Sequence, residues 1–321
     1  MTSRLGGGFL GVDHVGVGVA DADEAIEFYG RHVGFDRVLF DHTGEVPGLE
    51  TVAGRTPTAR VAMLESSSAT PIGPGRVKLV QVLDGDGPPA PPAGQAWGEV
   101  GVCEICLHVR GVQEVHDRLV AAGCASLMEP TSADVPPTTI TLDIAYVADP
   151  WGTKLELIEW TGLWRSLPGA ARAEGVNHVA FGVTDMARTR AFYERLGFDS
   201  LLFESVEFFE PMAPWFEPPW YDPEHLPAQH MTMPMSAQGA AIEPCVLDPA
   251  GHDCRGEWGH LGPMDFGVRV GNLDAAATAL AAEGVQLHGP LQSLDVGTGE
   301  WRYVYIQEPD GNYVQLVEAR Y

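Results

Sequence analysis

Two histidines occupy the same place in two nearly identical segments of the chain. His14 lies in Gly11-Val-Asp-His-Val-Gly-Val-Gly-Val-Ala-Asp21, and His178 lies in Gly175-Val-Asn-His-Val-Ala-Phe-Gly-Val-Thr-Asp185. A third histidine, His230, stands at the edge of an apparent strand, where its imidazole could act as an acid or a base. Imidazole binds transition metals and titrates near neutral pH, so all three residues are candidates for chemistry.

Cys103 and Cys106 form a Cys-x-x-Cys pair, a spacing that can bind zinc or carry a redox disulfide. The run 102–109, however, is typical of a strand, in which side chains three residues apart point to opposite faces. We therefore predict buried structural thiols. The total of five cysteines is odd and shows no disulfide framework, which indicates a reducing compartment.

The two histidine segments each open a repeated unit of secondary structure. In each segment, apolar residues alternate with other residues over the length of one strand. A stretch with the apolar periodicity of a helix follows. The helices carry the pairs Phe28-Tyr29 and Phe192-Tyr193, and each stops at a Gly-Phe pair. Glycine suits a helix C-cap, so the pattern predicts a strand and a helix at both places.

Two further units begin near Cys103 and Met264 with the same order of strand, helix and glycine. Both end in a hairpin whose turn contains proline and glycine, at 149–152 and 308–311. The sequence therefore predicts an α+β chain of four βαβββ modules, two in each half.

Charge and hydropathy exclude several classes of partner. The chain carries 19 basic and 44 acidic residues, which gives a formal net charge of -25. Such an acidic surface repels nucleic acid and anionic lipid, so we expect neither as a partner. No run of 18 apolar residues is available to span a membrane, and the N-terminus lacks the apolar core of a signal peptide. We therefore expect a cytoplasmic protein.

With these signals the sequence resembles the vicinal oxygen chelate superfamily, which includes glyoxalase I, methylmalonyl-CoA epimerase, bleomycin-resistance proteins and extradiol dioxygenases. The resemblance rests on the strand openings around His14 and His178, the Phe-Tyr…Gly-Phe helices and the Asp/Glu-Pro-x-Gly…Glu/Gln-Leu endings. It implies two tandem cupped, barrel-like domains, over 1–166 and 172–321. In each domain two modules would close around one metal.

The resemblance also implies which side chains point inward. In the first half they are His14, Lys78, Glu104 and Glu156. In the second half they are His178, Glu243, Asp265 and Gln315. Imidazole, carboxylate and amide oxygen suit Zn, Mn, Fe or Ni with positions left open for a bidentate oxygen substrate.

The second half is predicted to hold the working site. The resemblance implies His178, Asp265 and Gln315 as ligands of a divalent metal ion, with Glu243 and His230 as catalytic acid or base. The alternative is a satisfied polar cluster that holds no metal.

In the first half, the ammonium group of Lys78 would repel a cation. We therefore expect Lys78 to form an ion pair with Glu104 or Glu156, and we expect no metal there.

The implied activity follows from how the sequence departs from the extradiol dioxygenases, which use two histidines and one glutamate in the C-terminal half. This chain has His178, Asp265 and Gln315 at those places. We therefore predict a metal-dependent lyase or isomerase of the glyoxalase and epimerase kind. It would act on a small oxygenated substrate through an enolate-like intermediate. The alternatives are an extradiol-type dioxygenase with a nonstandard site and a metal-free protein that sequesters small molecules.

An aromatic and proline-rich insertion lies between 204 and 235 and is too long for a simple connection. It could form the wall of a pocket for an aromatic or apolar small molecule. It could equally pack between domains or across a homo-oligomer contact. Trp301, Tyr303 and Tyr305 alternate along a later strand, where a cavity lining and an aromatic core are both compatible with the pattern.

Overall fold

The computed structural model describes residues 5–85, 87–89, 95–135, 140–160, 168–205, 228–235, 239–248 and 251–321. The strands are β1 (Phe9–Gly18), β2 (Arg37–Glu45), β3 (Thr58–Glu65), β4 (Arg76–Val82), β5 (Gly101–Arg110), β6 (Ala125–Val135), β7 (Ile140–Ala148), β8 (Lys154–Trp160), β9 (Arg172–Gly182), β10 (Ser200–Ser205), β11 (Ala228–Met235), β12 (Ala241–Asp248), β13 (Gly262–Val270), β14 (Leu287–Asp295), β15 (Glu300–Gln307) and β16 (Tyr313–Arg320). The helices are α1 (Ala22–Phe28), which continues as a π-helical turn (Tyr29–Val33), α2 (Val112–Ala121), α3 (Met186–Arg195) and α4 (Leu273–Ala282).

Local signals account for the repeated helices. Asp21, Asp185 and Asn272 precede α1, α3 and α4, and each side chain accepts a hydrogen bond from a backbone N–H of the first turn. Gly197 and Gly284 follow α3 and α4 at φ 96° and 81°, a region that favours glycine. The predicted repeat of strand, helix and glycine is confirmed by these caps.

The described strands form two curled sheets of eight. One has the order β14-β15-β16-β13-β1-β4-β3-β2, and the other has the order β10-β11-β12-β9-β5-β8-β7-β6. Strands β1–β4, β5–β8, β9–β12 and β13–β16, each group with its helix, are modules 1, 2, 3 and 4. The predicted α+β fold of four βαβββ modules in half-barrel sheets is confirmed.

Each sheet joins one module from each half of the chain. Strand β1 pairs antiparallel with β13, which joins modules 1 and 4, and β5 pairs antiparallel with β9, which joins modules 2 and 3. We call these the 1–4 sheet and the 2–3 sheet. The grouping expected from the sequence, with both modules of one half around one metal, is therefore corrected. The boundaries 1–166 and 172–321 themselves stay a prediction.

The main core lies between the two sheets, where the rings of Phe181 and Phe266 stack with centroids 5.2 Å apart. Alternation along β4 separates this core from a second cluster on the other face of the 1–4 sheet. Val77 and Leu79 belong to the main core, and Val80 belongs to the second cluster. A comparable cluster lies on the 2–3 sheet. Among the described residues, no helix is long and apolar enough to cross a membrane.

Cys103 and Cys106 are both buried, as predicted. They belong to the same apolar cluster of the 2–3 sheet, so the expectation of opposite faces is wrong. The register of β5 against β9 shifts between Val102 and Glu104, and this bulge breaks the alternation of side chains.

Candidate functional site

Four buried side chains meet on the 2–3 sheet, one from each of the neighbouring strands β12, β9, β5 and β8. On β5, Cys106 is paired with His178 of β9 on one side and with Glu156 of β8 on the other. We call the four side chains the acidic centre: Glu104, Glu156, His178 and Glu243.

The register brings the four side chains to one place. Ala180, two residues after His178 on β9, is paired with both Glu104 and Glu243. Because side chains alternate along a strand, residues two apart share a face, and all four therefore point to the same side of the sheet. Their ligand atoms lie within 4.8 Å of one another.

The imidazole of His178 stands among the three carboxylates. Its Nε2 lies 3.6 Å from Glu104 Oε1 and 3.3 Å from Glu156 Oε2, and it also contacts Glu243 Oε2. Within the described part of the chain, no lysine or arginine forms an ion pair with these three carboxylates. Such a group is costly to bury unless a cation or protons compensate the charge.

A second layer of donors orients three of the four side chains. Trp97 Nε1 donates to Glu104 Oε2 at 2.5 Å, and Tyr146 OH donates to Glu156 Oε1 at 2.8 Å. His178 Nδ1 lies 2.9 Å from Asn177 Oδ1, which orients the ring with Nε2 toward the centre. Partners of this kind commonly fix metal-binding histidines and carboxylates.

The atoms left over point into the centre. Glu104 Oε1, Glu156 Oε2 and His178 Nε2 are buried and have no hydrogen bond in proper geometry to any described residue. Carboxylate oxygens and an imidazole nitrogen are the ligands of many Zn, Mn, Fe and Ni sites. The donor set and its unpartnered atoms therefore fit a divalent metal ion.

The protonation of the acidic centre reflects the same crowding. Burial, reinforced by the charge of Glu156, raises the pKa of Glu104 to about 8, and burial also raises the pKa of Glu243. Burial alone would raise the pKa of Glu156, but the neighbouring imidazole of His178 lowers it. Burial opposes the charged form of His178, yet the neighbouring Cys106 and Glu243 raise its pKa well above the usual value. Without a cation the centre holds protons, which a divalent ion would displace.

A corresponding set lies on the 1–4 sheet. Gly267 of β13 is paired with both His14 and Gln315, and Gly16 of β1 is paired with both Lys78 and Asp265. We call the four side chains, each fully buried, the lysine centre: His14, Lys78, Asp265 and Gln315.

The lysine centre contains its own ion pair. Lys78 Nζ donates to Asp265 Oδ2 at 2.8 Å and to Tyr305 OH at 3.2 Å. Tyr305 OH in turn donates to Asp265 Oδ2 at 2.6 Å and accepts from Trp258 Nε1 at 3.0 Å. The prediction that Lys78 pairs with Glu104 or Glu156 is wrong, because those two residues lie in the other sheet.

The ligand set predicted from the sequence is also corrected. His178 belongs to the acidic centre, whereas Asp265 and Gln315 belong to the lysine centre, so the structure does not bring these three residues together. Glu243 lies in the acidic centre with His178. Each residue stands on an inward face as expected, but the pairing of module 2 with 3 and of module 1 with 4 exchanges their partners.

Other candidates from the sequence have separate outcomes. His230 lies on β11, paired with Val246, and its side chain is outside the described residues. The stretch 206–227 of the aromatic insertion is also outside them. Trp301, Tyr303 and Tyr305 are buried and pack against one another in an apolar cluster, which favours an aromatic core.

Sequence reasoning missed the second layer of the acidic centre. A signal for it was present, because Trp97 precedes Glu104 by the same seven positions as Trp258 precedes Asp265, and a glycine follows each tryptophan. Tyr146 and Tyr305 likewise occupy the same place, each paired in register with the inward residue of the last strand of its module.

Comparisons with known proteins show which family the sequence matches. The sequence model of the Glyoxalase/Bleomycin resistance protein/Dioxygenase superfamily matches residues 11–157 and 175–316. A 2-epi-5-epi-valiolone epimerase from Actinomyces sp. is 29% identical over 162 residues, which cover 49% of this chain and 84% of that protein.

Two solved structures share the fold. Glyoxalase I from Zea mays superposes with a TM-score of 0.56 at 17% identity, over 96% of this chain and 92% of that one. A putative dioxygenase from Bacillus subtilis superposes with a TM-score of 0.60 at 12% identity, over 98% of this chain and 87% of that one.

Proposed function

We propose that this chain, which belongs to the Glyoxalase/Bleomycin resistance protein/Dioxygenase superfamily, is a metal-dependent epimerase or isomerase that acts on a small hydroxylated ketone. The observation that carries the proposal is the acidic centre, in which the ligand atoms of three carboxylates and one imidazole lie within 4.8 Å of one another.

Glu104, Glu156, His178 and Glu243 would hold the ion. A divalent ion, when bound, acts as a Lewis acid that polarises a carbonyl group and stabilises the negative charge that develops on its oxygen. A carbon next to that carbonyl then loses its proton more readily, which is the step that epimerisation and isomerisation share.

Glu243 is the best placed group to move that proton. Trp97 anchors Glu104, Tyr146 anchors Glu156 and Asn177 orients His178. Within the described part of the chain, the carboxylate of Glu243 contacts His178 and has no comparable anchor.

A carboxylate whose contact among the described residues is with the imidazole alone can shift toward a substrate more easily than one held by a second donor. Burial raises the pKa of Glu243, which makes its Oε2 a stronger base once it is ionised. We therefore assign proton removal and return to Glu243.

The substrate reaches the centre from the side of Glu156. The Glu156 side chain is 10% exposed, compared with 4% for Glu243 and 2% for His178. The relative from Actinomyces sp. is named 2-epi-5-epi-valiolone epimerase, and this name leads us to propose a ketone of this kind as the substrate of this chain. A ketone with a neighbouring hydroxyl group offers two adjacent oxygens, and both would be available to an ion held by Glu104, Glu156, His178 and Glu243.

The experiment follows hydrogen exchange at carbon. The protein is depleted of metal with a chelator and reloaded in turn with Zn, Mn, Fe(II) or Ni. It is then incubated in D2O with 2-epi-5-epi-valiolone, and NMR follows deuterium incorporation next to the ketone and formation of the epimer. We expect both signals only with metal, and we expect Glu243→Gln to lower the exchange rate by about 100-fold or more.

The control is His14→Ala. This variant removes the histidine of the lysine centre, whereas His178→Ala removes the histidine of the acidic centre. It should exchange deuterium at the wild-type rate. Metal-independent exchange, or full exchange by Glu243→Gln, would contradict the proposal. Oxygen consumption with a catechol would instead support a dioxygenase, and failure to retain any ion would support a metal-free binding protein.

A further inference from the structure

We propose that Lys78 is a built-in cation that takes the place of a metal ion in the lysine centre. The residue at this one register position, lysine in one sheet and glutamate in the other, then decides which centre of the chain binds a divalent ion.

The two centres correspond position by position in the register of their sheets. Lys78 of β4 is paired with Gly16 of β1, and Glu243 of β12 is paired with Ala180 of β9. Strands β4 and β12 close modules 1 and 3 in the same way. Lys78 therefore stands where Glu243 stands.

The remaining positions correspond in the same manner. The first strands of modules 1 and 3 carry His14 and His178. His14 lies two residues before Gly16, and His178 lies two residues before Ala180. The paired module contributes Asp265 in one centre and Glu104 in the other, opposite Gly16 and Ala180 respectively. Gln315 and Glu156 occupy the fourth position, on the last strands of modules 4 and 2.

The charges of the two centres differ as a bound cation would require. The acidic centre has three carboxylates and, among the described residues that form it, no ammonium or guanidinium group. The lysine centre has a single carboxylate, Asp265, and it is matched by Lys78 at 2.8 Å. A metal ion would have to displace the buried ammonium of Lys78, so these residues do not fit a metal as they stand.

Three ligand atoms are nevertheless retained in the lysine centre. His14 Nε2, Asp265 Oδ1 and Gln315 Oε1 are buried and have no hydrogen-bond partner among the described residues. Buried polar atoms are normally satisfied, so three such atoms on residues that share the register positions of the acidic centre point to a metal site in which the cation has been replaced.

A metal ion in the acidic centre and the ammonium group of Lys78 in the lysine centre would each link two modules. A metal in the acidic centre would be held by Glu104 and Glu156 of module 2 and by His178 and Glu243 of module 3. Lys78 of module 1 links to Asp265 of module 4, across the joint of the 1–4 sheet. One joint would then be held by a bound ion and the other by a side chain.

The test exchanges the two residues. Wild type, Lys78→Glu, Glu243→Lys and Lys78→Met are dialysed against Mn²⁺ or Zn²⁺, and bound ions per chain are measured by mass spectrometry. Thermal unfolding is followed by circular dichroism with and without a chelator. We expect one ion for wild type, two for Lys78→Glu and none for Glu243→Lys, whose unfolding temperature should no longer depend on the chelator. Lys78→Met, which removes the ammonium without adding a ligand, should keep one.

Two results would overturn the proposal. One is a second ion in the wild type, and the other is a folded Lys78→Glu variant that gains no ion over the wild type. If Lys78→Glu does not fold, Glu243→Lys decides, because retention of its ion would show that this position does not control metal binding. The count of ions does not involve turnover. A protein that binds one ion and leaves the hydroxylated ketone unchanged would therefore refute the proposed function and leave this inference standing.

Discussion

Glu104 and His178 come from opposite halves of the chain, and Glu104 Oε1 lies 3.6 Å from His178 Nε2 across the joint between β5 and β9. The candidate metal centre therefore belongs to neither half alone. Each half supplies two of its four side chains, so the centre exists only when module 2 is paired with module 3.

His178→Ala should abolish metal binding and activity while the protein stays folded. The change removes the imidazole that lies between the three carboxylates of the acidic centre and takes one ligand atom away from the ion. Metal content by mass spectrometry and folding by circular dichroism check this. An unaltered ion content in a folded variant would remove His178 from the ligand set.

Asp265→Ala should lower the stability of the protein and leave its metal content unchanged, although the family resemblance implied Asp265 as a ligand together with His178. It leaves the ammonium of Lys78 buried without its carboxylate, which costs about 3–5 kcal/mol of unfolding free energy. The ion content of the folded fraction should equal that of the wild type. Urea denaturation measures the loss of stability, and a loss of bound metal without loss of stability would contradict the assignment.

Metal binding should release protons and weaken as the pH falls. Burial raises the pKa of Glu104 to about 8, so this carboxyl is largely protonated at pH 7 in the metal-free protein and must lose its proton to bind an ion. The apparent affinity should therefore rise as the pH increases from 6 through about 8. Calorimetric titration in buffers of different ionisation enthalpy counts the released protons.

The control for that titration is Glu104→Gln, which has no proton to lose at this position. It should bind the ion more weakly and release fewer protons at pH 7. An equal release by wild type and variant would assign the titration to another group of the centre.

Trp97→Phe should weaken metal binding about 10–100-fold, because Glu104 loses the indole N–H that orients it. The matched control is Trp258→Phe, at the same place in the lysine centre, where the indole donates to Tyr305 instead. Competition with a chelator measures both affinities. We expect the control to bind the ion as the wild type does, and similar losses in both variants would indicate a general packing defect.

The sequence by itself determined the modules. Alternation, helical periodicity, caps such as Asp185 and turns with proline and glycine are local signals, and they specify each βαβββ unit without reference to the rest of the chain. Inward residues such as His178 and Glu243 were inferred from the family resemblance, and the structure places both on the same face of one sheet.

Only the tertiary structure decided which modules pair. All four modules offer a similar first strand to a partner, and the registers of β1 with β13 and of β5 with β9 join segments far apart in sequence. Nothing local distinguishes one partner from another, because the choice depends on how whole faces pack. As a result of this pairing, Asp265 lies beside Lys78 rather than beside His178. Three glutamates and one histidine form the acidic centre.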